Sequence, residues 1–418
     1  MSEQIAKKRQ YIKRVKPEDM KKYDGVSFSR VRKLSMGVLL TIILRCSRMG
    51  LQIRLDDYYE EIGESEGEVS KQAMSKARGK LDPEIVRGSF VITAETMVEC
   101  EDLEYYGGKY RICAIDGSDA EIDNSAELLE HFGGSGRNKD CATAMVSLCY
   151  DPLNNIILDG GIYPYNTNER DAARSHFTAV GALEKPAGVT DLYIFDRYYP
   201  SKEFFAEMMD DNMSFVMRVR RKFNVEFDEV KRNGSVKFEV DGKEYSVRVF
   251  KIKLDSGEEE ILVTNLPSSD LSRKDAGELY FKRWGIETKF DSLKNKLELE
   301  NWSGRRSITV YQDFWAKLDL ANTFASLEFA ADDVIEEATK DKNNKYAQTT
   351  NENRLISKFC KVYIEILATE NPYKRLAMFD KLIAQITRRP EQVKPGRKSV
   401  RKPPRKKKFC DRRISPFR

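Results

Sequence analysis

Histidine is nearly missing from this 418-residue chain: His131 and His176 are the only two. A serine–histidine–aspartate nucleophile or a histidine-rich metal site therefore has little to build on, and each histidine is expected at the surface or half-buried. The seven cysteines (Cys46, Cys100, Cys113, Cys141, Cys149, Cys360 and Cys410) are odd in number, and no two stand in C-x-x-C spacing. That argues against a disulfide framework or a structural zinc and fits a reducing compartment. Long apolar runs are absent too. The best of them, Val38 to Leu44, stops at Arg45, far short of the roughly 20 residues that span a bilayer. The first residues, Met1 to Arg9, are charged and lack the apolar core of a secretory signal. The expected location is the cytoplasm. The glycine-rich stretch Gly133 to Arg137 lacks the Gly-Lys-Ser/Thr ending of a nucleotide-binding loop and reads as a connection.

Charge is plentiful, at 33% of residues against 40% hydrophobic and 10% aromatic, as in a soluble, folded chain with room for several domains. The net charge of +5 is unevenly placed. Arg388 to Arg418 holds 14 Lys or Arg against 2 Asp or Glu, so this tail carries +12 and the preceding 387 residues carry −7. Pro390, Pro395, Pro403 and Pro404 break regular structure there.

Residues 1 to 100 read as a helical unit. Ser29 is expected to cap a helix with apolar Val31, Leu34, Val38, Leu39 and Ile42. Ser70 is expected to cap a second, in which Lys71, Gln72, Lys76, Arg78 and Lys80 surround an apolar stripe of Ala73, Met74, Ala77 and Leu81 before Pro83. Gln and Lys near the start of a short helix suit a major-groove reader of the helix-turn-helix kind. An amphipathic surface helix is the plain alternative.

Beyond Cys100 the apolar period changes from 3.6 to 2. Tyr110 to Asp116 is expected to be a strand ending in its carboxylate, followed by Ala144 to Tyr150 and Asn155 to Asp159 across the turn residues Asp151, Pro152 and Asn154. A helix from Glu169 to Leu183 leads to a further strand, Asp191 to Asp196, again ending in an acid. A helix from Lys202 to Asp210 and a strand from Ser214 to Arg220 come next. An antiparallel meander, a helix and then more strands and helices describe an α/β mixed sheet of the RNase H type, in which Asp116 and Asp196 meet if their strands are parallel neighbours. Residues 222 to 270 look like a β-rich insertion, with Asn233-Gly234, Asp241-Gly242 and Asp255-Ser256-Gly257 as hairpin turns. The expected divisions are a helical DNA-binding domain (1–100), a first core part (101–221), this insertion (222–270), a second core part with a glutamate helix (271–330), a helical C-terminal region (331–387) and the tail (388–418).

The stretch Tyr280 to Lys294 carries the densest chemistry. At about 100° per residue in a helix, Arg283, Glu287 and Lys294 project within roughly 60° of Tyr280. A solvated face with an Arg283–Glu287 ion pair accounts for this spacing alone, at a few tenths of a kcal/mol. The functional alternative is one metal-binding carboxylate flanked by groups that suit phosphate oxygens. Asp116, Asp196 and Glu287 together could hold two hard divalent cations about 4 Å apart, a system that needs neither histidine nor a covalent nucleophile.

These residues resemble the DDE transposases of bacterial insertion sequences, in the insertion-sequence-four branch defined by Y-x2-R-x3-E-x6-K. Tyr280, Arg283, Glu287 and Lys294 meet that spacing in full. Ile115-Asp116-Gly117-Ser118 is similar to the family's first-aspartate motif and Phe195-Asp196-Arg197 with Tyr199 to its second, although Tyr198 stands where Gly is common. Asn168-Glu169-Arg170 is similar to a further recurring element. The resemblance spans residues 26 to 330. It implies an RNase H-like core, with Asp116, Asp196 and Glu287 binding two Mg2+ or Mn2+ ions and Tyr280, Arg283, Lys294 and Arg197 on DNA phosphates. It also implies double-stranded DNA partners (element ends and target), a homodimer on paired ends, nucleoid association and cut-and-paste cleavage through a hairpin. Relatives stack an insertion-domain tryptophan on a flipped base. Here the tryptophans are Trp284, Trp302 and Trp315, outside the insertion, leaving Trp302, Phe223 or Tyr245 as substitutes. Asp119 is read as a surface acid. A DNA-binding protein without catalysis, and a nuclease without joining activity, are the alternatives.

The basic tail gives the first prediction. Deleting residues 388–418 should weaken non-specific duplex binding on the order of tenfold or more at low salt and flatten its salt dependence. Binding titrations at several salt concentrations check this; an unchanged slope would mean that the tail makes no phosphate contacts.

Overall fold

A computed structural model describes residues 1–393 apart from 22–23, 26, 29–32, 46–50, 64–68, 137–138 and 255–256. Ser29, Val31, Cys46, Arg137, the Asp255-Ser256 turn and the tail from residue 394 lie outside the described residues. The chain divides into two compact units, one of residues 1–97, 121–143 and 293–418, the other of 98–120 and 144–292.

The first unit is mainly helical. Its N-terminal helices are Ser2–Arg14, Met36–Leu44, Leu51–Glu61, Lys71–Arg78 and Pro83–Val98. The described cap of the Met36–Leu44 helix is Ser35, whose hydroxyl accepts from the Val38 N–H at 3.3 Å. Ser70 caps its helix as expected, accepting from Ala73 N–H. Met74 and Leu81 are buried, Lys71, Gln72 and Lys76 are exposed, and Ala73 of the expected stripe is exposed as well. The 33-residue helix Ser307–Thr339 runs through this unit, and two helices, Glu352–Ala368 and Pro372–Thr387, follow it.

Buried charge holds this helical unit in register. Lys8 is fully buried and reaches Asp319 at 2.9 Å and Thr323 at 3.1 Å. Ser89 and Thr93 also donate to Asp319, so one carboxylate ties three helices. Arg78, expected at a DNA-facing surface, is only 2% exposed. It donates to Asp313 at 3.0 Å and to Gln312 at 3.0 Å, because at the helix C-terminus the polar side of Ser307–Thr339 is its nearest solvent substitute. Burial alone would raise the Asp313 carboxyl, but Arg78 and Lys317 hold it below its ordinary range.

The second unit is built on the sheet. Its strands, with Glu121, β2 and residues 141–143 belonging to the first unit, are β1 (Tyr110–Glu121), β2 (Gly134–Ser135), β3 (Cys141–Asp151), β4 (Ile156–Pro164), β5 (Thr190–Phe195), β6 (Ser214–Val219), β7 (Asn233–Val240), β8 (Lys243–Lys253) and β9 (Glu259–Thr264). The order is β2-β3-β1-β5-β6-β9-β8-β7, with β4 on β3. This is the expected mixed α/β sheet flanked by helices: β3 and β4 are antiparallel, while β1, β5 and β6 run parallel. Asp151 makes the tight β3–β4 turn by accepting from Leu153 N–H and Asn154 Nδ2, and Asn155 takes a φ of 56°. Asp241 and Gly242, at φ 50° and 78°, supply the left-handed pair of the β7–β8 hairpin. Asn233-Gly234, expected as a turn, instead opens β7. The inserted strands extend the main sheet, because β9 pairs with β6 from Val216↔Thr264 to Val219↔Ile261.

Alternation along β1 and β5 sorts the two faces. Ile112, Leu192 and Ile194 share a core with Leu279 and Tyr280. Arg111 instead donates to Val180 O at 3.0 Å and Tyr193 packs edge-on against Phe177, so the helix Glu169–Gly181 covers the other face. No described helix is long and apolar enough to cross a membrane.

Removing the partner of a buried ion costs about 3–5 kcal/mol. Asp319→Ala should therefore destabilise the first unit by about that amount in urea unfolding. Wild-type stability would mean that Lys8 finds another partner or water.

Candidate active site

Parallel pairing sets two carboxylates side by side. The β1–β5 register runs from Tyr110↔Thr190 to Ala114↔Ile194, so Asp116 and Asp196 each stand two residues beyond the last paired position and on the same face. The apolar runs Ile112–Ile115 and Leu192–Phe195 carry them there. β1 does not end at Asp116, as expected, but continues to Glu121. Asp119 is exposed.

Each aspartate is fastened to its own backbone. Asp116 Oδ1 accepts from Gly117 N–H at 2.9 Å, and Asp196 Oδ1 accepts from Tyr198 N–H at 2.7 Å. Burial pushes the Asp116 carboxyl up to about 7. Arg283 and the Gly117 N–H pull it down, while Asp196 and Glu169 add to the rise. Burial also raises Asp196, against the pull of the Tyr198 N–H, Arg283, Arg197 and Arg220.

Arg283 is the counter-charge of this site. It stands at a break between two helices, Arg273–Lys282 and Trp284–Asn295, so the single helix expected through Tyr280–Lys294 is two. At the break, Arg283 N–H bonds Tyr280 O and Ile286 N–H bonds Arg283 O, both at 3.0 Å. These three-residue steps replace the four-residue steps of an α-helix. Arg283 Nη1 lies 3.6 Å from Asp116 Oδ2, and Nη2 donates to Glu287 Oε1 at 2.8 Å. One guanidinium thus joins the first aspartate to the helical glutamate. Tyr280 is buried beneath it, with its ring centroid 5.5 Å from the guanidinium. Lys294 occupies the last turn of the Trp284–Asn295 helix and is half-buried, and Arg197 is exposed.

Three polar atoms around these acids are buried without a hydrogen-bond partner among the described residues: Tyr199 Oη, Tyr280 Oη and Arg283 Nε. Orphaned groups beside raised carboxylates mark a place built for something further. The donor set, all carboxylate oxygen, has the chemistry of a hard divalent cation. Among the described residues, no three such ligands converge tightly enough to hold an ion as they stand; Arg283 takes up the charge of Asp116 and Glu287. The residues that would hold a cation are Asp116, Asp196 and Glu287.

Several features escaped the sequence reading. Glu169, the first residue of its helix, lies against Gly117: a Cβ on that glycine would stand 3.4 Å from Glu169 Oε1. Burial, then Asp196 and Asp119, raises its carboxyl. The signal was its place in Asn168-Glu169-Arg170. His176 is fully buried rather than near the surface. It bonds Ser147 Oγ at 2.9 Å and Asp159 Oδ2 at 2.7 Å, and Ser147 Oγ also reaches Asp116 O at 3.5 Å. The order is that of a nucleophile system, but the serine is buried, so the chain of bonds braces the sheet behind Asp116. Among the aromatics, Trp302 is 2% exposed and donates to Glu121 O, Tyr245 is buried, and Phe223 packs on Phe205 and Phe227. The exposed aromatics next in sequence to the site residues are Tyr198, Phe281 and Trp284. Arg197 and Arg220 both pack on the Tyr198 ring, at 5.6 and 4.3 Å.

A transposase DDE domain profile matches residues 107–322. Among solved structures the chain is similar to a piggyBac transposase synaptic complex with hairpin DNA, at 14% identity over 94% of this chain and 84% of that chain, with a TM-score of 0.43. Comparison with curated proteins gives no match.

The raised Asp116 carboxyl has a sign that can be measured. Its folded value, about 7, lies above an unfolded value of about 4, so its contribution to stability is full below about pH 4 and lost as pH rises through about 7. The metal-free protein should lose on the order of 2–4 kcal/mol over that window, and Asp116→Asn should flatten the loss. Urea unfolding at pH 5 and pH 8 checks it; equal slopes for both proteins would contradict the burial of this charge.

Proposed function

The chain belongs to the transposase DDE domain family, and from that premise we propose that it is a DNA transposase of the insertion-sequence-four, Y-R-E-K branch that cuts element ends and joins them to target DNA. Asp116, Asp196 and Glu287 would hold two Mg2+ or Mn2+ ions. The observation that supports this best is the meeting of two aspartates, in the same register just past the paired stretch of β1 and β5, with Arg283, which also grips Glu287.

When bound, the ions activate the attacking oxygen and stabilise the leaving oxygen of the phosphodiester. The chain does the rest. Asp116 and Asp196 are pre-placed by strand register and by their own backbone bonds, so little reorganisation is needed on loading. With cations at the carboxylates, the Arg283 guanidinium would be available to the DNA phosphate beside the cut. Exposed Arg197 and the Lys294 ammonium hold flanking phosphates, and Tyr280 supports Arg283 from below. Lys71, Gln72 and Lys76, exposed on a capped helix, read the element end, and the basic tail adds salt-sensitive affinity. Cleavage passes through a hairpin in a cut-and-paste reaction, two copies pair the ends, and the protein acts at the nucleoid.

Glu287→Gln should keep end binding and lower strand cleavage by about 10³-fold or more, since a lost cation ligand removes transition-state stabilisation. Incubating both proteins with donor ends, a target plasmid and Mg2+ reads cleavage and joining together. Retained cleavage in the variant would sink the ligand assignment. Cleaved but unjoined ends from the wild type would point to a nuclease instead.

A further inference from the structure

The helix Glu169–Gly181 and the Trp284–Asn295 helix approach the sheet from opposite sides, yet both begin with an acid in the first turn, Glu169 and Glu287. Glu287 is held by Arg283. The Glu169 carboxylate, half-buried, has no hydrogen bond or ion pair among the described residues. Partial burial, with Asp196 and Asp119 nearby, raises this carboxyl and leaves its oxygens open to a partner that arrives from outside the fold.

Its placement is specific. Asp116 faces the glutamate helix, so the next residue along the strand, Gly117, faces the Glu169 helix. The missing side chain leaves a path along which the Glu169 carboxylate lies against the strand, one residue from Asp116. Arg170 then locks the helix start to the loop that follows Asp196, donating through Nε to Tyr199 O at 2.7 Å and through Nη2 to Pro200 O at 3.3 Å. The loop that follows Asp196 is therefore braced by the residue next to Glu169. A second, independent feature points into the same place. Tyr199 is fully buried, its hydroxyl has no partner, and the acids around it are Glu169, Asp116 and Asp196.

We infer that Glu169 is a fourth carboxylate of the divalent-cation site, binding the cation shared by Asp116 and Asp196 directly or through one of its waters. This rests on the metal reading of that aspartate pair. Tyr199 Oη finds its partner in the loaded cluster, as outer-shell groups around bound ions commonly do. Glu169 thus makes the site four-sided, with Asp116 and Asp196 from the sheet, Glu287 from one face and Glu169 from the other.

The competing explanation is local: a glutamate in the first turn favours the helix dipole, and its loss would then lower only the melting temperature. Mn2+ titration of the full chain, followed by the electron paramagnetic resonance signal of free Mn2+, separates the two when melting in EDTA is recorded beside it. E169Q should weaken Mn2+ binding about tenfold or more and melt as the wild type does. E169D, which keeps the charge but draws it back from Gly117, should lose affinity in the same direction and serves if E169Q melts early. Wild-type Mn2+ affinity in both variants, with binding lost in D116N, would overturn the role of Glu169 alone. Wild-type affinity in D116N as well would overturn the metal reading of the aspartate pair on which it depends.

Discussion

The parallel register between β1 and β5 is the constraint from which the rest of the site follows. Two carboxylates brought to one edge of a sheet and partly desolvated repel each other, and nothing in the sheet relieves that. The cost is contained by three devices visible in the structure: each aspartate accepts a backbone N–H, Arg283 stands against Asp116, and the Asp116 carboxyl is pushed up to about 7. A charge cluster kept at such expense in a buried position is the signature of a site selected for chemistry rather than stability.

Arg283 carries two roles that its position at a helix break makes compatible. In the metal-free fold it is the counter-ion of Asp116 and Glu287. Under the function proposed here, cations take over that task and leave the guanidinium free for DNA. The break sets Tyr280 in the core below the arginine and starts a new helix with Glu287 in its first turn. The Tyr-Arg-Glu spacing thus spans a break between a buried tyrosine and a glutamate held by Arg283, not one stripe on a continuous helix.

Much of the fold was legible because the core strands are short apolar runs ended by acids or turn residues. The helix expected near Lys202 to Asp210 and the strand expected from Ser214 to Arg220 both stand within a residue or so of their expected places. What stayed hidden depends on tertiary partners. The Ser70 helix shows Arg78 and Lys76 as similar cations on one amphipathic pattern, yet Asp313, more than 200 residues away, draws Arg78 inside. His176 reads as an isolated histidine until β3 and β4 bring Ser147 and Asp159 to it. Glu169 looked like part of a motif step; that it faces the gap left by Gly117 follows only from strand alternation and the opposite packing of two helices.

The most direct test of the central claim, that Asp116, Asp196 and Glu287 are ligands of one divalent-cation site, is anomalous scattering from Mn2+-soaked crystals of the protein bound to cleaved duplex ends. The account predicts Mn2+ peaks within about 2.5 Å of oxygens from all three carboxylates, with Arg283 moved off Asp116. Peaks elsewhere, or Glu287 still paired with Arg283 and facing no metal, would contradict it.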